Sequence, residues 1–476
     1  MIAKIKVNSK LLGVLLIVLA VHLPLIFNNF HTDDFQVLEI VQKGFDCAGL
    51  KSMENPSNFR PLANFIIYLR YWLFDNAAGL WYILNILLHL TAVFLLFIYV
   101  KKLTDETTAV LAALFFGLYF QHFEAVLWLY GIIRLLTAVC VLLSLIYCQK
   151  FLSNPNRADM VFSLMFFFLG LFCAEDMVVI CFYFLAVYIL FIPKGEKRHF
   201  LLPGAGFMVL AAFYLMIRLA ALGKPTLSTP YFYLGGHIWN NIFSYLGWLV
   251  FPSLDNPYIL PFAKAHLPGL LPFLRPFDWL VFVLVTMAII YIIRKGDLIQ
   301  KQALLFTVIA LIPAIFIKSK VSTKLVYIPS IGVAILVASF IKQGLSQAGQ
   351  IGRKIISVFL AVYLICQSTA IILTIDYYRS TQKQVAFMLD EIDRLDIDWN
   401  QYEYMLFDNV PGRARLGNAF KYRHGITIRL IDRYEQAVNQ PDITAEKQKL
   451  KAANKSYILI DFAGGHPAMV ESQSRR

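Results

Sequence analysis

Three short stretches of this sequence carry acids where an otherwise apolar chain would not be expected to hold them. Asp33-Asp34 follow the first apolar stretch directly, His122 and Glu124 stand at the end of the third, and Glu175-Asp176 occupy a brief turn between the fifth and sixth. A carboxylate at the centre of a bilayer costs ~2.5–3.5 kcal/mol, and less toward the interface, so acids at one depth on several apolar segments point to a polar pocket. Basic residues accompany them: Arg60, Arg134, Arg218, Lys318, Lys320 and Lys324. As a group they suit a phosphate, the usual partner of a guanidinium or ammonium. Each feature also has a plainer reading. Thr32-Asp33-Asp34 can cap a helix running to about Gly44, Glu175-Asp176 can be ordinary turn residues, His122 can be an interfacial histidine, and single bases snorkel to lipid headgroups.

The elements that position these residues are membrane spans. Of the 476 residues, 59% are hydrophobic and only 15% charged, against ~25% charged in soluble domains, and the mean hydropathy is +0.63. That excludes a disordered chain and an ordinary soluble enzyme. Apolar stretches near 11–29, 79–100, 107–121, 131–149, 158–174, 177–193, 201–222, 277–293, 302–317, 325–341 and 355–375 predict about eleven crossings and an all-α polytopic fold. The first follows Lys4, Lys6 and Lys10 without a small-residue cleavage site, so it reads as a retained anchor. Loop 30–78 predicts interfacial amphipathic helices, with Pro61–Phe74 too short to span.

Charge supplies the orientation. The net +13 resides almost wholly in residues 1–375, which hold 28 basic and 16 acidic residues against 15 and 14 in residues 376–476. Alternate helix ends, including the N-terminus, Lys101-Lys102, Lys150, Lys194, Arg294-Lys295 and Arg353-Lys354, carry 16 bases and 5 acids, while the opposite ends carry 12 and 11. The positive-inside rule places the first set and the N-terminus in the cytoplasm. The acids above then share the outer face, and no basic surplus remains for a nucleic acid. Segment 237–276, rich in proline, reads as interfacial or re-entrant, because one further crossing would break the parity.

Residues 376–476 predict a small water-facing α/β domain outside the membrane. Strands are expected near 403–407, 427–431 and 456–460, with helices near 414–422 and 444–453. Residues 1–375 form the membrane domain. The six cysteines offer neither a disulfide framework nor zinc-ligand spacing.

Several motifs, in order along the chain, carry a resemblance. They are Asp33-Asp34-Phe35, Phe59-Arg60-Pro61-Leu62-Ala63-Asn64, Asn85-Ile86-Leu87-Leu88-His89, His122-Phe123-Glu124-Ala125-Val126-Leu127-Trp128, Glu175, and Tyr327-Ile328-Pro329-Ser330-Ile331-Gly332. Together they cover roughly residues 10–340 and resemble the GT-C superfamily of polytopic glycosyltransferases. The nearest branch is that of bacterial family-39-like enzymes and O-mannosyltransferases with tetratricopeptide repeats. Departures are specific: the family's Gly-Arg-x-Asp reads Gly131-Ile132-Ile133-Arg134, its Lys before the second-loop Glu is Ala174, its Arg before Tyr-x-Tyr-x-Pro-Ser corresponds to Lys324, and the repeats are absent.

The resemblance implies transfer of a sugar from a polyprenyl-phosphate donor to an acceptor hydroxyl, belonging to a glycan, a lipid-linked glycan or a protein, on the extracytoplasmic face of a bacterial inner membrane. It implies inversion by a single displacement, which needs one base rather than the two close carboxylates of a retaining hydrolase. Asp33 is the expected base and Asp34 the second candidate. Glu124, Glu175 and Asp176 would orient the acceptor or tune that base, and His122 would hydrogen-bond within the pocket. Lys324, Arg60 and Lys320 are the expected phosphate ligands; no metal ligands are assigned, and a divalent metal is left open. A flippase would place polar sites near the midplane, whereas these acids stand at helix ends. A polymerase or ligase of lipid-linked glycans shares the donor chemistry.

Overall fold

A computed structural model describes residues 9–31, 34–45, 58–192, 197–222, 234–250, 269, 271–318, 322–410, 416–424, 429–434, 442–463 and 466–474. The chain divides into two compact units. One comprises residues 1–24, 50–66 and 82–372, the other residues 25–49, 67–81 and 373–476.

The first unit is helical. Among the described residues of the chain, eight helices are long and apolar enough to cross a membrane, and a ninth candidate is the pair Glu106–Gly117 and Phe120–Leu127, bent by 54° at its break. The chain is an integral membrane protein. Stretches 158–174 and 177–193 form shorter helices, Arg157–Leu171 and Ile180–Phe191, because the polar Glu175-Asp176 pair between them lies in a 3-10 turn, Glu175–Val179. Local signals set several helix starts. Asp297 and Gln300 form a reciprocal capping box, Asp105 accepts from the amides of Thr107 and Thr108, and Pro329 opens Pro329–Gln347 where its missing N–H costs nothing. That last helix lies so close to Leu298–Ile315 that a Cβ on Gly332 would stand 2.4 Å from the carbonyl oxygen of Ala303.

Among the described residues, the ion pairs of this unit include two groups. Lys10 and Lys101 meet Glu106 at 3.2 and 3.0 Å, and Lys342 meets Asp105. Arg60 meets Glu175 and Arg134 meets Asp176. Every pair joins residues that the charge pattern puts on the same side of the membrane. Within segment 237–276, helix His237–Trp248 is described; Asn241 donates to the carbonyls of Ile315 and Ile317, closing the end of Leu298–Ile315.

The second unit is built on a four-stranded sheet of order β2-β1-β3-β4, with β1 Tyr404–Val410, β2 Arg429–Tyr434, β3 Tyr457–Asp461 and β4 Ala468–Gln473. β1 runs parallel to β2 and β3, and β4 runs antiparallel to β3. Alternation along the strands sends Met405, Phe407, Ile458 and Ile460 to one face and Leu406, Tyr457 and Leu459 to the other. The first face is covered by Val385, Met388, Leu389 and Ile392 of the long helix Gln350–Asp393 and by Leu416, Ala419 and Phe420 of Leu416–His424. The second is covered by Ile443 and Leu450 of Ile443–Ala452. Three strands and both tail helices fall close to their expected positions. β4 was not expected, because Ala468-Met469-Val470-Glu471 has little of the alternation that marks a half-buried strand.

Candidate active site

In the helical unit, the turn Glu175–Val179 presents two carboxylates, and each meets an arginine. Arg60 Nε and Nη2 donate to Glu175 Oε2 and Oε1 at 2.7 and 2.8 Å, a bidentate pair. Its side chains are 13% and 24% exposed, so both charges are largely removed from solvent and each depends on the other. Arg134 donates to Asp176. The segment carrying Arg60 is locked by its own backbone: Tyr214 Oη donates to the Phe59 carbonyl at 2.9 Å and Leu62 N to the Phe172 carbonyl at 3.1 Å.

Glu124 closes a second set. It accepts from Ser322 Oγ at 2.6 Å and from the backbone N–H of Lys324 at 2.9 Å. Tyr245 Oη accepts from Ser322 N at 3.3 Å. The Lys324 ammonium stands 3.9 Å from the Trp128 ring centroid, a cation–π contact. Two positions further back, His122 Nε2 bonds Ser330 Oγ at 2.7 Å and the ring packs against Phe116, Tyr119 and Tyr327. The stretches His122–Glu124 and Ser322–Ser330, about 200 residues apart in sequence, are thus joined by three side-chain hydrogen bonds.

Helix Ala78–Leu103 braces this clasp. Asn85 and His89 are four residues apart and share a face. Asn85 Nδ2 donates to the carbonyls of Val126 and Trp128, while His89 Nε2 bonds the Gly117 carbonyl at 3.0 Å and Nδ1 bonds Tyr327 Oη at 2.7 Å. The bend between Glu106–Gly117 and Phe120–Leu127 interrupts the helical ladder, and these side chains satisfy carbonyls around it.

In the second unit, Asp34 begins helix Asp34–Gln42. Its Oδ2 accepts from the His31 N–H at 2.8 Å, and the side chain is buried. Asp33 and Lys320 lie outside the described residues. Of the other expected site residues, Arg60, Glu175, Asp176 and Arg134 form one paired set, and Glu124, Lys324 and His122 form the clasp. His122 faces Ser330 and an aromatic cage, a supporting position. Ser322, Tyr245 and Tyr214 were not expected. Single serines and tyrosines have no spacing signal, and the helix carrying Tyr245 sits in a segment the charge parity could not resolve. Among the described residues, no group of three or more His, Cys, Asp or Glu side chains is placed to hold a metal ion.

No family model and no curated protein sequence matches this chain. Solved structures do. ArnT from Cupriavidus metallidurans, crystallised with undecaprenyl phosphate, aligns over 96% of this chain and 93% of its own with a TM-score of 0.56 at 12% identity. The oligosaccharyltransferase AglB from Archaeoglobus fulgidus, in complex with an inhibitory peptide and a dolichol-phosphate, aligns over 96% of this chain and 70% of its own, with a TM-score of 0.53 at 10% identity. Both are membrane glycosyltransferases of GT-C fold. This chain has the GT-C fold. Within it, the expected motifs acquire their physical sense: Asn85 and His89 brace the segment that His122 and Glu124 tie to Ser322–Ser330. Arg134, one of the bases noted in the sequence, donates to Asp176.

Proposed function

We propose that this protein moves a sugar from a polyprenyl-phosphate donor to an acceptor hydroxyl of a glycan, lipid-linked glycan or protein, on the outer face of a bacterial inner membrane. The observation that carries this reading is a GT-C fold shared over nearly the full length of ArnT, which was crystallised with a polyprenyl phosphate. Residues 1–375 serve as the membrane domain and 376–476 as an extracytoplasmic domain, the N-terminus lying in the cytoplasm.

The chemistry is a single inverting displacement. The acceptor oxygen attacks the anomeric carbon as the bond to the phosphate oxygen breaks. Asp33 takes the hydroxyl proton, and the lipid phosphate departs with the electron pair. Asp34 is the second candidate for the base, but its Oδ2 is engaged by the His31 N–H, which favours Asp33. Charge grows on the departing phosphate, so fixed cations lower the barrier. Lys324 is the first candidate, since Glu124 holds its backbone and Trp128 holds its ammonium end; Lys320 is the second. The bidentate bond from Arg60 to Glu175 supports a shared role for that pair: Arg60 meets the phosphate while Glu175 and Asp176 orient the acceptor. His122 supports the pocket through Ser330.

The test uses the full chain in membranes or nanodiscs with a labelled polyprenyl-phosphate sugar and envelope glycans as acceptors. Release of polyprenyl phosphate with transfer of label is expected, and Asp33→Asn should lower turnover by about 10²–10⁴-fold. Full activity in both Asp33→Asn and Asp34→Asn would reject the general base. Absence of acceptor-dependent donor consumption across the acceptors would reject the transferase reading.

A further inference from the structure

We infer that Gln382 and Arg379 are positioning residues for the Asp33-Asp34 segment, and that the C-terminal α/β domain is the mount that holds them. The inference rests on the proposed base role of that segment.

Residues 28–31, which precede Thr32 and the acidic pair, are held by one helix about 350 residues later in the chain. The Gln382 amide works in both directions on a single residue: its Oε1 accepts from Asn29 N at 2.9 Å and its Nε2 donates to Asn29 O at 2.5 Å. This is the pairing a neighbouring strand would make, supplied here by a side chain that is only 5% exposed. Arg379 Nε donates to Asn28 Oδ1 at 3.0 Å, and Asn28 Nδ2 donates to the Ile375 carbonyl at 3.1 Å. The His31 ring stands 4.6 Å from that of Tyr378. His31 N in turn donates to Asp34, so the clamp reaches the first residue of helix Asp34–Gln42.

The same helix stripe is fixed at its far end. Positions 375, 378, 382, 385, 389 and 392 follow the alternating three- and four-residue spacing of one helix face. The first three meet residues 28–31. Val385, Leu389 and Ile392, with Met388, are buried in the core beneath the sheet against Met405, Phe407 and Ile460. Rotating or sliding the helix to release Gln382 would therefore expose that core. A second tie comes from Leu416–His424: Tyr422 packs on Phe35 with ring centroids 5.8 Å apart and donates to Asn76. Phe35 follows Asp34 directly and packs against the same core. Polar bonds at residues 28–31 and apolar contact at Phe35 hold the described residues on both sides of the proposed base, and a base needs position more than strength.

The experiment compares Gln382→Ala and Arg379→Ala with wild type and with Lys383→Ala, whose side chain is exposed on the same helix. In the labelled-donor assay, kcat should fall about 10–100-fold in the first two, as expected for displacement of a reacting group by about an ångström. The KM for the polyprenyl-phosphate sugar should stay within about twofold, and Lys383→Ala should match wild type. Gln382→Glu keeps the acceptor for Asn29 N and loses the donor, so its kcat should fall between wild type and Gln382→Ala. If Gln382→Ala fails to fold, Gln382→Glu and Arg379→Lys carry the same comparison. Hydrogen exchange should quicken over residues 34–42 and stay slow in β1 and β3. Unchanged kcat, or a KM rise matching the kcat loss, overturns the inference. Were Asp33→Asn and Asp34→Asn both fully active, the base role itself would fail; were Asp33→Asn inactive while Gln382→Ala and Arg379→Ala kept wild-type kcat, only the positioning role would.

Discussion

Arg60 and Glu175 show how a residue expected to act alone is bound into a pair. Their bidentate bond, mostly withdrawn from solvent, makes each charge costly without the other. Glu175→Ala should destabilise the folded chain toward the lower end of the ~3–5 kcal/mol seen when one partner of a buried pair is removed, the partial exposure reducing it. Arg60→Ala combined with Glu175→Ala should cost less than the two single losses together. Thermal melts of the three variants in detergent measure this coupling, and strict additivity would show that the pair contributes nothing as a unit. Glu124 acts differently, on the backbone of Lys324 and the hydroxyl of Ser322. Glu124→Ala should raise the KM for the polyprenyl donor by releasing the loop that carries Lys324; steady-state kinetics at varied donor concentration would reveal it.

At the scale of elements, the turn joining Phe123–Leu127 to Ile132–Ser153 has no room to spare. A Cβ on Gly131 would stand 2.3 Å from the Ala125 carbonyl oxygen, so the chain doubles back tightly just after Glu124. Gly131→Ala should cost about 1–3 kcal/mol, as overpacking does, and should loosen the Glu124 clasp, read as a lower melting temperature with a raised donor KM.

The edge strand β4 carries a different dependence. Glu471 accepts from Tyr457 Oη at 2.5 Å and pairs with Lys451 and Lys447 at 2.6 and 2.9 Å. The hydrogen bond from Lys451, with those from Tyr457 and Lys447, holds its carboxyl down at about 2, below the ordinary 4.5. A depressed acid contributes stability above its unfolded value, and that contribution is lost as pH falls toward the folded one. The stability gap between wild type and Glu471→Gln should therefore be constant from pH 5 to neutrality and close between about pH 4.5 and 2. Melting curves across that range test the sign; a gap that widens on acidification would refute it.

For the molecule as a whole, the segregation of ion pairs is the most telling agreement with the sequence. Lys10, Lys101, Asp105, Glu106 and Lys342 gather in one group, and Arg60, Arg134, Glu175 and Asp176 in another. The charge bias predicts that the first group faces the cytoplasm. An impermeant thiol reagent should therefore label Ser472→Cys in intact spheroplasts and label Ser346→Cys only after permeabilisation, in a background lacking native cysteines. The reverse pattern would invert the topology.

Residue order alone determined the membrane class, most of the spans, the motif set and the tail strands β1, β2 and β3. These depend on local composition and period: apolar runs of bilayer length, alternating charge at their ends, and short alternating segments between turn signals. The partners were not legible there. Glu175 gives no sign that Arg60 will neutralise it, and Asn29 gives none that Gln382 will clamp it. Hydrogen bonds are directional and short, and they join positions over 100 and over 350 residues apart. Composition records how often a residue type occurs along the chain, whereas the fold decides which two occurrences meet. In a low-dielectric interior that meeting settles whether a charge is available for chemistry or already spent on a neighbour.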